Sequence, residues 1–579
     1  MKLVLKLSLF LIILSALKIN AQNCEQKPTG DKMIANDYFS YGMYPCALKE
    51  YQLIYVSKPY NKKINHRIAQ CYLMSPGGNK SKAIKYLTFL IEQESVSKDV
   101  YFELGQAYLY AQKFDEAIDF FDKYETIAKP SGEHLKTLEK FKDCASFSKE
   151  LVKHPLNVTF ENLGKDVNSE HNDMQPYLTD KEDFIYFTTD RKGTRGGFPF
   201  GDGYVKDVFI TKNKKGRDAY KSARGVSGTF NTDFSEEMAG GSADGSHLFV
   251  ASDEQFQTYN LKYSSKPPKK RSYSSLVNLE GINGRNSNEL SATITNDGSF
   301  IIFSSNRDGG FGGFDLWMSK KLPNNSWGIP INMGPKINTQ FDENFPMFKE
   351  TQDKITFSSN GHRGMGGFDL FETTFSKELK TWTDPKNLGF PINTAYDDNN
   401  IIFVKNGRYA YKSDIRKDSR GMRDIYRITF NDVQPTYTVV KSSIFADTLA
   451  NIPAIAEILE KEIGQQKTLY DSLKTMDTDS SLVDSIKHLY FGYMGRLNAL
   501  DPLTNNLVEV RNKEGELYGR YTPNSRNGGF IMILEPGLYE VNILHNGYEA
   551  FTKKIRIFDK INYTPQLKRD FYIKPKASL

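Results

Sequence analysis

Three aspartates recur at one place in a repeated segment: Asp315 in Gly312-Gly313-Phe314-Asp315-Leu316, Asp369 in Gly366-Gly367-Phe368-Asp369-Leu370, and Asp424 in Arg423-Asp424-Ile425-Tyr426. Brought together they would make a ring of acids, with the proton chemistry that carboxylates supply. Their shared feature, however, is position within a repeat, and a short carboxylate there has a plainer use: it accepts backbone N–H groups and fixes where a strand begins. Arg191, Arg307 and Arg363 recur in the same way and read as loop braces made by charge-assisted hydrogen bonds. No two of the eight histidines lie within five residues of each other, so none offers a local metal pair. The cysteines Cys24, Cys46, Cys71 and Cys144 lack the paired CxxC spacing of a zinc site, and in an exported chain they could form up to two disulfides. HExxH, GxSxG and GxxxxGK[ST] are all missing, as is any βαβ stretch that could carry a hydrolase. The sequence therefore predicts no enzyme, no cofactor and no metal.

The elements that carry these residues are repeats. In 291–319, the Asn296-Asp297-Gly298 turn leads into the apolar strand Phe300-Ile301-Ile302-Phe303, and a polar, Gly-rich connection returns as Phe314-Asp315-Leu316-Trp317-Met318. The same order recurs one period later around Phe357, and more loosely around Phe187, Phe249 and Phe403. Upstream of each copy lies a second signal: Val167-Asn168-Ser169, Phe230-Asn231-Thr232, Ile282-Asn283, Ile337-Asn338-Thr339 and Ile392-Asn393-Thr394. Five copies of a four-stranded sheet, none able to bury both faces alone, should pack radially as blades. Over about 155–430 these motifs resemble the PD40, or TolB-like, variant of the WD40 propeller. The lone strand at 155–160 is the candidate to close the ring by pairing with the last blade. The insertion 193–203 reads as a loop, and Lys269, Lys270 and Arg271 sit in a basic, Pro-interrupted loop available to an anionic partner.

Residues 1–21 read as a signal peptide, with Lys2 and Lys6 before an apolar run too short to span a bilayer. Losing Lys2, Lys6 and Lys18 lowers the formal charge from +6 to +3, which gives no electrostatic case for nucleic acid. Cys24 is not preceded by a lipobox. From about 30 to 150 the periodicity is helical. Leu104, Gly105, Tyr108, Ala117 and Phe121 resemble the tetratricopeptide pattern, and two earlier copies align with it, placing Tyr38, Tyr72 and Tyr108 one repeat length apart. The resemblance implies a groove for a peptide or partner helix, with these tyrosines as candidate contacts, or else an array that braces the propeller. After 430, residues 432–441 read as a linker and strand and amphipathic segments at 452–471 and 482–497 as helices, followed by strands of a small β-sandwich. The run 522–551 resembles carboxypeptidase regulatory-like domains. Asp447-Thr448-Leu449, Asp471-Ser472-Leu473 and Asp484-Ser485-Ile486 resemble an O-glycosylation sequon of exported Bacteroidota proteins.

The expected fold class is multidomain, α followed by all-β: signal peptide 1–21, tetratricopeptide helical solenoid 22–152, five-bladed β-propeller 153–431, helical linker 432–496, and C-terminal β-sandwich 497–579. That order resembles periplasmic envelope proteins of Bacteroidota associated with type 9 secretion and gliding, although the OmpA-like domain usual in them is not seen here. The resemblance implies a non-enzymatic periplasmic scaffold that binds envelope proteins through the helical groove and a propeller face, peripheral to the outer membrane or peptidoglycan complexes. The alternative is a sensor whose propeller channel binds a glycan or peptidoglycan fragment.

Overall fold

The computed structural model describes residues 27–576, less 180, 198, 201–202, 215–218, 254–257, 267–272, 350, 405–406, 436, 448–451, 475–482, 490–502, 505, 527 and 560–562. The signal-peptide segment, Cys24 and the basic triplet Lys269, Lys270 and Arg271 thus lie outside the described residues. Two compact units divide at Val433 and Gln434.

The first unit begins with helices α1 (Lys32–Ser40), α2 (Tyr44–Ser57), α3 (Lys62–Met74), α4 (Ala83–Ile91), α5 (Asp99–Tyr110), α6 (Phe114–Ala128) and α7 (Glu133–Leu151). Asp31 caps α1 by accepting from Met33 N and Ile34 N, and Asn61 caps α3 by accepting from Ile64 N. Ala35, Ala47, Tyr51, Ile68, Ala69, Leu87, Leu104, Ala117 and Phe121 are fully buried, as the periodicity requires. A Cβ on Gly105 would stand 2.5 Å from the Phe121 ring, so only glycine lets α5 and α6 approach this closely. Cys46 is disulfide-bonded, whereas Cys71 and Cys144 carry buried thiols, so these two do not make the second bridge that four cysteines allow.

Five antiparallel sheets follow, four of four strands and one of five. The first is built from Asp173–Tyr177, Phe184–Thr189, Asp207–Lys212 and Arg224–Gly225, and the second from Glu236–Gly241, His247–Asp253, Tyr259–Ser265 and Val277–Asn278. The third comprises Glu289–Ile294, Phe300–Ser305, Asp315–Lys320 and Ile331–Asn332. The fourth comprises Glu343–Phe348, Lys354–Ser359, Asp369–Ser376 and Lys386–Asn387, with Thr381–Trp382 attached to its third strand. The fifth takes Ile401–Val404, Tyr409–Asp414 and Asp424–Phe430 from one end and strand β1 (Val158–Asn162) from the other, paired Val158↔Phe430 through Asn162↔Tyr426. The expected closing strand is therefore present, and it covers an edge that would otherwise be open. Register repeats from sheet to sheet: Phe303 faces Trp317 and Ser305 faces Asp315, as Phe357 faces Phe371 and Ser359 faces Asp369. Phe249, Phe303 and Phe357 fill the layers between neighbouring sheets and are fully buried. Within the insertion 193–203 the chain is not a plain loop, because Pro199–Phe200 pairs with Gly203–Tyr204.

The second unit corrects the expected boundary between linker and sandwich. Strand Thr438–Ala446 overlaps the strand expected in 432–441 but belongs to the sandwich and not to the linker, pairing antiparallel with Gly529–Leu534 and parallel with Gln566–Lys568 and Phe571–Ile573. The second sheet runs Leu517–Tyr521, Leu507–Arg511, Gly537–Leu544, Phe551–Ile557. Val440, Ile444, Val510, Met532, Val541 and Ile573 bury the space between the two sheets. Helix α8 (Ile452–Lys474) is thus an insertion after the first strand of this unit. A further helical stretch, 483–489, lies within the expected second helix, whose remainder falls outside the described residues. Among the described residues, no helix is long and apolar enough to cross a membrane.

Candidate functional site

The recurrent aspartates act one per sheet, at strand entries. Asp315 accepts from Phe311 N at 2.6 Å, Gly312 N at 3.1 Å and Asn332 Nδ2 at 2.7 Å. Asp424 accepts from Arg420 N, Gly421 N and Asn162 Nδ2, and Asp369 from Met365 N and Gly366 N. Asp207 holds the same place in the first sheet, accepting from Arg195 N at 2.8 Å, and burial pushes its carboxyl up to about 6. The glycine before each turn is there for close approach: a Cβ on Gly312, Gly366 or Gly421 would meet a backbone carbonyl of the next sheet's segment at 2.0, 2.3 and 2.2 Å.

The asparagines of the second signal lock each sheet to the next. Asn338 accepts from Leu316 N at 2.8 Å and donates to Leu316 O at 2.9 Å, imitating a strand across the junction. Asn231 does this to Val208, Asn283 to Leu261 and Asn393 to Leu370. Asn168, upstream of the first sheet, clasps Ile425 of the fifth, so the order closes on itself.

Behind each asparagine stands a buried carboxylate that the sequence reading missed. Asp173, Glu236, Glu343 and Asp398 each accept from the backbone N–H and hydroxyl of a Ser or Thr four residues earlier, and Glu289 accepts from Gly284 N and Ser287 Oγ. The signal was available: an acid five residues after the asparagine, or six at Glu289. Three of the five have cations. Arg191 pairs with Asp173, Arg307 with Glu289 at 3.1 Å, and Lys412 with Asp398. Among the described residues Glu236 and Glu343 have no ion-pair partner, and burial raises both, Glu343 up to about 7. Arg191 and Arg307 are therefore the expected braces, but Arg363 is not. In the fourth sheet His362 Nε2 lies 2.8 Å from Ile337 O, the place that Arg307 takes against Ile282 O, and Arg363 is released to meet Asp143 of α7.

That pair belongs to a contact between helices and sheets. Ser148 Oγ donates to Met365 O at 3.3 Å, Tyr110 packs on Tyr396 at 5.0 Å, and Ala395 joins the core of α5, α6 and α7. Beside this contact a groove of ≈ 1010 Å³ stays open, walled by Gln52, Tyr72 and Tyr110 on the helices and by Phe160, Tyr396 and Arg416 on the sheets. Of the three tyrosines proposed as contacts, only Tyr72 lines it, held by Gln52 Nε2 at 2.9 Å. Tyr38 is a core residue and Tyr108 stacks on Phe120 at 5.4 Å, because the helical repeat marks packing positions as readily as exposed ones. At the centre of the sheets, where a channel was the alternative site, Tyr177, Met238, Phe345 and Met347 leave a cavity of ≈ 10 Å³, room for about one water.

No protein-family model matches the chain. A stretch of 99 residues is 28% identical to carboxypeptidase M of Mus musculus, covering 17% of this chain and 22% of that relative, so the chain spans about a fifth of its length. Among solved structures, an α-L-arabinofuranosidase from Lactobacillus brevis is 11% identical with a TM-score of 0.31, covering 48% of this chain and 94% of its own. A levansucrase of B. subtilis is 8% identical, also at 0.31, covering 46% and 84%. The expectation that this chain is not an enzyme is corrected here. It rested on missing contiguous motifs, whereas the levansucrase, arabinofuranosidase and arabinanase structures to which the chain is similar are enzymes. At such identity and score they lend it no activity of their own.

Proposed function

We propose that the chain is an exported scaffold of the bacterial envelope. In this reading the seven helices form a tetratricopeptide solenoid, the five sheets are blades of a closed propeller, and the second unit is a carboxypeptidase regulatory-like sandwich. The groove between helices and sheets receives a segment of a partner protein. The observation that carries this is the groove itself: its two walls come from opposite ends of the first unit's sequence and are held together by the Asp143–Arg363 and Tyr110–Tyr396 contacts. A place beside type 9 secretion or gliding machinery, in the periplasm and peripheral to the outer membrane, is supported by the domain order alone. The alternative, a glycan in a central channel, finds little support in a centre that holds about one water.

Photo-crosslinking residues placed at Gln52 and at Lys417, with exposed Lys136 on α7 as control, test the reading in living cells. One partner captured from both groove positions and not from Lys136 is the expected result. The same products at all three positions, or none at the first two, refute it.

A further inference from the structure

Resting on that reading of the groove, we infer that its occupant is an acidic, extended segment of a partner protein, gripped by Arg416. The Arg416 guanidinium is fixed before any ligand arrives. Its Cζ lies 3.1 Å from the centre of the Phe160 ring, Nε donates to Asp414 Oδ2 at 2.9 Å, and Nη2 reaches Pro391 O at only 3.3 Å. Asp414 is itself buried and oriented by Ile415 N at 2.8 Å and by Lys412 Nζ at 3.6 Å. Nη1 has no partner among the described residues, so the fork presents one free and one weakly engaged nitrogen. That is the geometry a carboxylate takes up with two parallel bonds, and little side-chain freedom is left to lose.

The charge around the fork has the matching sign. Lys82 and Lys417 line the same groove, Lys417 exposed and Lys82 6.0 Å from the centre of the Tyr72 ring. Against them stand Asp414, already engaged by Arg416 and Lys412, and Asp418, which accepts from Tyr426 OH at 3.0 Å. The aromatic lining favours a polypeptide over a sugar. Stacking on a sugar needs open ring faces, and here Arg416 covers Phe160, Lys80 and Tyr396 lie against Tyr110, and Tyr86 lies under Tyr72 at 6.0 Å. Apart from Phe390, these rings leave edges and hydroxyls, which with the Gln52 amide suit a backbone and its carboxylates.

The test uses the full chain and fluorescein-labelled octaglutamate in fluorescence anisotropy, with octalysine and an oligoglucuronate as comparisons. Octaglutamate should bind at low salt and weaken as salt rises, Arg416→Gln should weaken it by about tenfold, and octalysine should not bind. Lys82→Gln with Lys417→Gln, on groove-lining residues outside the core, should weaken it by about threefold even if the Arg416 variant folds poorly. Octaglutamate binding unchanged in both variants overturns the inference, as does tighter binding of oligoglucuronate, which would assign the groove to an acidic glycan. Octaglutamate should also suppress crosslinking from Gln52. A Gln52 crosslink that persists refutes the acidic occupant while leaving the groove reading intact, and the absence of any crosslink refutes both.

Discussion

Glu343→Gln isolates the buried carboxylates behind the sheet junctions. Glu343 is fully buried, and its oxygens accept from Thr339 N at 2.9 Å, Thr339 Oγ1 at 2.8 Å and Ser359 Oγ at 2.7 Å, with no cation paired to it among the described residues. Burial lifts its carboxyl from the ordinary 4.5 up to about 7, a difference of about 3 kcal/mol between the protonated and ionised forms. Because the folded value lies above the unfolded one, the stabilisation is complete below about pH 4.5 and is lost as pH rises through 7. Glutamine keeps the size and one acceptor, and the two hydroxyls can turn to accept from its amide. The variant should match the parent at pH 5 and be more stable at pH 8 by about 1–3 kcal/mol, seen as a Tm higher by about 2–6 °C in calorimetry. Glu289→Gln is the control, since it strands Arg307, and should lose about 1–3 kcal/mol at both pH values. Equal losses in the two variants, or a Glu343→Gln difference that does not change between pH 5 and 8, would refute the reasoning.

Other substitutions probe the remaining contacts. Asn338→Ala leaves Leu316 N buried without a partner, while Leu316 O keeps the bond from Met333 N, and should cost about 1–3 kcal/mol in denaturant unfolding of the first unit. Asp369→Asn should be neutral or mildly stabilising above pH 7, because Oδ2 takes both backbone bonds, Oδ1 has no partner among the described residues, and burial raises the carboxyl well above its usual range. Asp315→Asn should instead lose about 1–2 kcal/mol, since both Asp315 oxygens accept. Gly105→Ala forces a methyl against Phe121 and should cost about 1–3 kcal/mol by thermal melting.

Much of the site's framework was legible because it repeats. Asn168, Asn338 and Asn393 stood out as a recurring signal before their clamps were visible, and the GGFD aspartates were readable as strand anchors from position alone. Glu236, Glu289, Glu343 and Asp398 were not noticed, because the register that exposes them alternates Asp with Glu and slips by one residue at Glu289. Arg363 looked like a brace, and only the neighbouring His362, filling that place in space, shows it to be surplus to the sheet and directed to α7. The periodic tyrosines misled for a related reason: a repeat reports equivalent environments, and for Tyr38 that environment is the core.

By itself the sequence determined the local order: helices then strands, five repeats, the closing strand β1 and the residues that tie one sheet to the next. These depend on neighbours within a single repeat or on a pattern copied along the chain. The tertiary structure decided what no local pattern can hold. Thr438–Ala446 became a sandwich strand by pairing with Gly529–Leu534 and Gln566–Lys568, from the far side of the α8 insertion. Tyr72 and Arg416 came to share a groove although one lies near the start of the first unit and the other near its end. Contacts of that span arise from packing distant elements within one unit, and the energy that selects them is spread over buried surface that no single motif records.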